Sequence, residues 1–225
     1  MLSSDISPEC ATVYLPQHDS RLLIETMHRC CHPAGMRVAD LCTGSGVAAI
    51  AASDAGADSV VAFDTSPAAI AAARANARLA CCPIDARLGS WSTALELEPF
   101  DLVLCNPPYV PEPANREPVI VGAGGPPMSF NAGPDGRLIL DPLCAAMPSL
   151  LKTGGTALIV QSEFADVSTS VTALRHGGLA VSVVARRTIA FGPVMSARAG
   201  WLEETGRLMP GRRAEELVAI KAVKP

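Results

Sequence analysis

Lysine is scarce in this chain. Lys152, Lys221 and Lys224 are its lysines among 18 basic residues, set against 22 acidic ones, and the formal net charge is −4. A protein that wraps nucleic acid usually presents a basic face, so the balance argues against that class without excluding a local patch. Long apolar runs are missing as well. Hydrophobic residues make up 49% of the chain, yet no uninterrupted run approaches the roughly 20 residues of a membrane-spanning helix. Met1-Leu2-Ser3-Ser4-Asp5 has neither the basic nor the apolar segment of a signal peptide. A soluble, cytoplasmic protein with no membrane partner is expected. Given that, the eight cysteines do not read as a disulfide framework. His28, Cys30, Cys31 and His32 crowd together, but their spacing matches no usual zinc knuckle and no second ligand pair accompanies them. Small buried thiols on a helix fit better, and no metal is expected. There is no internal repeat, low-complexity tract or linker, so the 225 residues read as one domain.

What is present alternates between strand and helix signals. A lead-in over residues 1–35 carries extended Val13-Tyr14-Leu15-Pro16, then a helix capped by Asp19 or Ser20 with Leu22, Leu23 and Met27 on its apolar face. Pro33 and Gly35 end it. Residues 36–41 read as a strand ending in Asp40 and Leu41, followed by Cys42-Thr43-Gly44-Ser45-Gly46 and a small-residue helix from Val47. A second strand, residues 59–63, ends at Asp64. Ser66 and Pro67 open the next helix with a cap and a first-turn proline. Residues 84–88 make a third strand, Gly89-Ser90-Trp91-Ser92 a turn, and residues 100–105 a fourth, buried strand. A Pro- and Gly-rich loop covers residues 110–135, a length that is often functional. Residues 136–151 read as a helix interrupted near Pro142 and Pro148, and Lys152-Thr153-Gly154-Gly155 as a turn. A fifth strand (156–160), a helix (167–175) and two last strands (179–190, 215–223) follow. The alternation predicts an α/β fold: a mostly parallel sheet with helices on both faces.

The chemistry concentrates after the fourth strand, at Asn106-Pro107-Pro108-Tyr109. Neither proline has an N–H, so the backbone there offers carbonyl acceptors and almost no donors. The Asn side chain adds an acceptor oxygen and the Tyr a flat face. Such a pocket suits a planar group bearing an NH2. Gly44 and Gly46 let backbone approach a ligand closely, although a lone Gly-x-Gly also serves tight helix–strand packing. Asp40 and Asp64 stand at adjacent strand ends, and Asp64, about 20 residues after the Gly turn, is placed for ribose hydroxyls. Capping is the alternative for Asp64. Two acids there suit a cationic cofactor and hydroxyl donors, and suit a polyphosphate poorly.

Asp-Leu-Cys-Thr-Gly-Ser-Gly at residues 40–46, with Asn-Pro-Pro-Tyr at 106–109, resembles a class I S-adenosyl-L-methionine-dependent methyltransferase. More closely, the chain resembles the protein-(glutamine-N5) methyltransferases that modify translation release factors, in the compact branch without an N-terminal helical domain. Val13-Tyr14-Leu15-Pro16-Gln17-His18-Asp19 is similar to the family's Tyr-x-Pro-x-x-Asp segment. Gly89-Ser90-Trp91 is similar to its Asp-Trp turn, and Gly133-Pro134-Asp135-Gly136 to its Gly-x-Asp-Gly segment. The resemblance implies a three-layer Rossmann-like fold with a seven-stranded sheet and a C-terminal antiparallel strand, residues 36–225 forming that core. It implies a methyl-donor site formed by Asp40, Cys42, Thr43, Gly44, Ser45, Gly46, Asp64, Ser90, Trp91 and Asn106, with Thr43, Gly44 and Gly46 against methionine and ribose, Asp64 on the ribose hydroxyls and Ser90 and Trp91 at the adenine. It places Asn106, Pro107, Pro108 and Tyr109 at the methyl-accepting amide.

Two departures stand out: Cys42 replaces a frequent Gly, and Ser90 replaces the usual Asp. The expected reaction is methyl transfer to a glutamine amide of a release factor. Positioning and preorganised acceptors supply the catalysis, and His18 is the nearest candidate for a base. Methylation of adenine N6 in nucleic acid, methylation of a small metabolite, and a non-enzymatic scaffold are the alternatives. Relatives of the compact branch can require a small zinc-binding activator protein.

Overall fold

The computed structural model describes residues 13–114 and 124–225. The reading of Met1-Leu2-Ser3-Ser4-Asp5, and the middle of the loop over residues 110–135, lie outside the described residues. Seven strands form one sheet in the order β3-β2-β1-β4-β5-β7-β6. They are β1 (Arg37–Leu41), β2 (Ser59–Asp64), β3 (Asp85–Leu88), β4 (Phe100–Cys105), β5 (Leu151–Ser162), β6 (Ala180–Ala190) and β7 (Ala214–Val223). β1 to β5 run parallel, and β7 lies antiparallel to both β5 and β6.

The order reverses at β1 and β4. Right-handed crossovers then send the helices that follow β1 and β2 to one face and those that follow β4 and β5 to the other. α1 (His18–Cys30), α2 (Val47–Asp54) and α3 (Pro67–Leu79) pack in succession, as do α4 (Trp91–Ala94), α5 (Leu140–Leu150) and α6 (Val167–His176). Register aligns the strand ends. Leu41 pairs with both Phe63 and Cys105, and Asp64 with Leu88. The Gly turn, Asp64, Ser90 and Asn106 therefore emerge along one edge, at the topological switch point where open α/β sheets bind ligands.

Local chemistry explains the elements. Ser66 Oγ accepts from Ala69 N at 3.3 Å and Pro67 fills the first turn, so α3 starts as expected. β4 is buried through Leu102, Val103, Leu104 and Cys105, which is why its sequence reads as a continuous apolar run. Gly46 stands in the left-handed region at φ +84°, and a Cβ there would fall 2.9 Å from Ala73 Cβ on α3. Gly46→Ala is accordingly expected to destabilise the fold by about 1–3 kcal/mol, read as a lower urea midpoint.

The structure differs from the sequence reading at four elements. α1 begins at His18 with Gln17 as its uncapped N-cap, and Asp19 lies inside the first turn. Ser90 caps one turn of helix where a plain turn is expected. α5 starts at Leu140, four residues late, because Gly133 and Gly136 at positive φ hold the preceding segment in a turn. Lys152-Thr153-Gly154-Gly155 belongs to β5. Gly154 N donates to Lys224 O and Lys224 N to Gly155 O, and a register shift between Phe100 and Leu102 absorbs the irregularity. A further helix, α7 (Pro193–Glu204), has no counterpart in the sequence reading. Its buried positions 195, 198, 199 and 202 have helical spacing, but Arg198 interrupts the apolar stripe.

The described cysteines are free thiols. Among the described residues, no group of three His, Cys, Asp or Glu converges to hold a metal, and no helix is long and apolar enough to cross a membrane.

Candidate active site

A cavity of about 580 Å³ opens at the strand-end edge. Asp40, Cys42, Thr43, Gly44, Ser45, Asp64, Ser90, Trp91, Asn106, Pro107, Pro108 and Tyr109 all line it. Gly46 is not among its lining residues, and its place against Ala73 makes it the packing glycine of the turn.

One half of the cavity is built on the Gly turn. Asp64 holds that turn with both oxygens: Gly44 N donates to Oδ2 and Ser66 N to Oδ1, each at 2.9 Å. Ser66, not Asp64, is the N-cap of α3, so Asp64 braces the turn rather than the helix, and its remaining lone pairs are left for a ligand. Gly44 sits at φ +54°, and a Cβ there would meet nothing nearer than Tyr14 O at 3.9 Å, so the backbone is open to a close approach. Cys42 also has a positive φ, +59°, a conformation that a glycine would adopt more easily. A side chain in that conformation costs about 1–2 kcal/mol. Trp91 opens α4 beside the cavity. Ser90 Oγ accepts from Ser92 N at 3.1 Å and lies 2.7 Å from Ser92 Oγ, so its hydroxyl serves the helix start.

Asp40 is buried, and Thr43 Oγ1 and Ala49 N donate to its Oδ2 at 2.6 and 3.0 Å. Burial outweighs those bonds and pushes its carboxyl up to about 7. Glu215 on β7 is likewise pushed to about 7 by burial, despite Ser162 Oγ donating to it at 2.5 Å. Unfolded carboxylates ionise near about 4. Between about pH 4 and 7 the folded chain therefore keeps protons that the unfolded chain has released, and stability falls as pH rises through that window. Asp166, drawn down to about 2, acts only below it. Urea midpoints across this range should decline with pH, and Asp40→Asn should flatten the decline. An unchanged slope in that variant would remove Asp40 as its source.

The other half of the cavity joins the start of α1 to Asn106-Pro107-Pro108-Tyr109. Tyr109 OH and Tyr14 OH both donate to Asp19 Oδ2, at 3.1 and 2.9 Å. Burial, reinforced by Asp19, pushes both phenols far above their ordinary value. Asn106 Nδ2 lies 3.5 Å from Ser20 Oγ. Asn106 Oδ1 is buried with no hydrogen-bond partner among the described residues. Tyr14, Asp19 and Ser20 line the cavity without having been read as site residues. The signal was available, because Tyr14 and Asp19 belong to the Tyr-x-Pro-x-x-Asp segment. His18 is exposed and does not line the cavity, so it is not placed to act as a base.

A family model described as Methyltransferase small domain matches residues 17–121. A protein of Methanocaldococcus jannaschii named for N5-glutamine methylation of protein is 30% identical over 186 residues, covering 81% of this chain and 89% of that one. The chain belongs to the protein N5-glutamine methyltransferase family. The release factor glutamine methyltransferase of Mycolicibacterium smegmatis is 31% identical over 183 residues. That match covers 79% of this chain, which spans 63% of the bacterial relative's length. Among solved structures, the Mtq2–Trm112 complex of E. cuniculi, described as responsible for methylating the eRF1 translation termination factor, superposes with a TM-score of 0.64 at 20% identity. It covers 95% of this chain and 99% of that one. The T. thermophilus 16S rRNA N2 G1207 methyltransferase, solved with AdoMet and guanosine, reaches 0.59 at 17% identity over 94% and 44% of the two chains. These neighbours share the Rossmann-like class I methyltransferase fold. The methyl donor of the family is S-adenosyl-L-methionine, and the site fits it: an open Gly44 backbone, Asp64 with free lone pairs, and a cavity of suitable size.

Proposed function

We propose that this protein methylates the side-chain amide nitrogen of a glutamine in a translation release factor, working in the cytoplasm. The observation that carries the reading is Asn106 Oδ1, a buried acceptor without a partner among the described residues, beside two residues that have no N–H. Such an atom calls for a donor that arrives with the substrate.

S-adenosyl-L-methionine, when bound, supplies an electrophilic methyl group on a cationic sulfonium. Gly44 and Asp64 hold its nucleoside side, and Trp91 flanks the base. Asn106 Oδ1 and Pro107 O accept the two N–H groups of the incoming amide. Tyr109 packs on its plane. An amide nitrogen is a weak nucleophile because its lone pair is shared with the carbonyl, so fixing both hydrogens favours the pyramidal geometry that attack requires. With His18 away from the cavity, positioning and fixed acceptors carry the catalysis. As the nitrogen–methyl bond forms, the methyl–sulfur bond would break to leave a neutral thioether. The strongly acidic proton left on the nitrogen would pass to solvent without a dedicated base. A small zinc-binding activator protein is included in the proposal as a partner, supported by the Mtq2 neighbour having been solved in complex with Trm112.

The test incubates the protein and radiolabelled cofactor with a release factor carrying its Gly-Gly-Gln loop, with single-stranded and duplex nucleic acid, and with metabolite extract. Each arm is run with and without the activator. Label on the release factor glutamine is expected. Label on nucleic acid or a metabolite alone would overturn the reading.

A further inference from the structure

Asp19 receives more than its place in a helix requires. It is 4% exposed and takes four hydrogen bonds: Tyr14 OH and Tyr109 OH at Oδ2, and Ser20 N at 2.6 Å and Ser20 Oγ at 3.2 Å at Oδ1. The chain contains two tyrosines, and both end on the same oxygen. We propose that Asp19 and Ser20 are positioning residues. They fix which atom of the Asn106 amide faces the methyl acceptor, and they anchor Tyr109 beside it. The inference rests on the reading of Asn106 and Tyr109 as the acceptor site.

The direction follows from donor and acceptor inventory. A carboxylate only accepts. Ser20 has one hydroxyl proton, and it goes to Asp19 Oδ1. Ser20 Oγ is then left with lone pairs toward Asn106, 3.5 Å away. Only the NH2 end of the Asn106 amide can use them. Nδ2 therefore turns to Ser20, and Oδ1 is forced to the other side, where it is buried and unpartnered among the described residues. Reversed, the amide would present NH2 to an incoming NH2, donor against donor. The negative charge of Asp19 thus sets the polarity of a relay that ends at Asn106. On its other oxygen the same carboxylate tethers the Tyr109 ring. An asparagine at position 19 both donates and accepts, so it would remove the rule while keeping the shape.

Four measurements test this: kcat and KM for the acceptor at saturating cofactor, cofactor Kd by calorimetry, a double-mutant cycle, and the alkaline absorbance titration of tyrosine. Ser20→Ala is expected to lower kcat about 10- to 100-fold while cofactor Kd and urea midpoint stay near wild type. Because Ser20 acts through Asn106, adding Ser20→Ala to Asn106→Ala should cost little more. In the wild type neither tyrosine should ionise near the ordinary value of about 10. Asp19→Asn should lower kcat similarly and bring tyrosinate formation to lower pH. Wild-type kcat in Ser20→Ala, fully multiplicative effects in the cycle, or ordinary tyrosine titration in the wild type would each overturn the proposal. If no offered acceptor is methylated by the wild type, the functional reading has failed, and the tyrosine titration still decides whether Asp19 holds both phenols.

Discussion

Asn106→Ala is expected to reduce kcat by about 10²–10³-fold while leaving cofactor Kd within about threefold. The substitution removes the buried, unpartnered Oδ1, which in the proposed reaction is one of two acceptors that fix the nucleophile. Losing a single preorganised hydrogen-bonding group that acts on the reacting atoms commonly has this magnitude. The cofactor half should be spared, because the Gly turn is held by Asp64, Phe63 and Asn76, none of which touches Asn106 through a hydrogen bond. Stopped assays with labelled cofactor give kcat, and calorimetry gives Kd. A parallel collapse of both would mean that Asn106 serves mainly to build the cavity.

Asp64→Ala should show the opposite split. Cofactor Kd is expected to rise about 10- to 100-fold, with kcat at saturation reduced much less. Two losses combine. One is the proposed acceptor for the ribose hydroxyls, a charge-assisted bond contributing about 1.5–3 kcal/mol. The other is the lock on the turn, since Gly44 N and Ser66 N lose their partner together. The urea midpoint should therefore fall as well. Asp64→Asn separates the two effects: one amide oxygen can still accept from Gly44 N, while Ser66 N faces a donor. A variant that loses stability but binds cofactor as the wild type does would reduce Asp64 to a turn lock.

The proposed cofactor half of the site is legible in the sequence because Gly44 and Asp64 both stand where a buried strand ends, and strand ends in a parallel sheet share one edge. The acceptor half is legible only in part. Asp19 reads as a helix cap because acidic residues near a helix start usually are. Of its two tyrosine donors, Tyr14 lies in the same short segment, but Tyr109 comes from 90 residues away, a separation that no local pattern encodes. Tyr14 reads only as part of the extended segment that leads into Pro16. α7 escaped notice because a buried Arg198 sits where an apolar residue would complete the stripe. Arg198 donates to Pro111 O and Asn131 Oδ1, so its burial depends on loop carbonyl groups far away in the chain. Gly154 and Gly155 read as a turn, yet they pair with Lys224, the residue just past the end of β7.

The position of β7 has a consequence for how the chain reaches this state. β7 follows β6 in sequence but lies between β5 and β6. Until residues 214–223 are in place, β5 has a bare apolar edge and β6 has no neighbour in the sheet. Assembly must then wait for a pairing between distant segments, which is slow, and a waiting edge invites pairing with other chains. Glu215, on that same strand, lies close enough to Asp19 to perturb its tyrosine partners. The methyl-acceptor pocket should accordingly be among the last parts to form during refolding, with tyrosine burial lagging behind the recovery of helical signal.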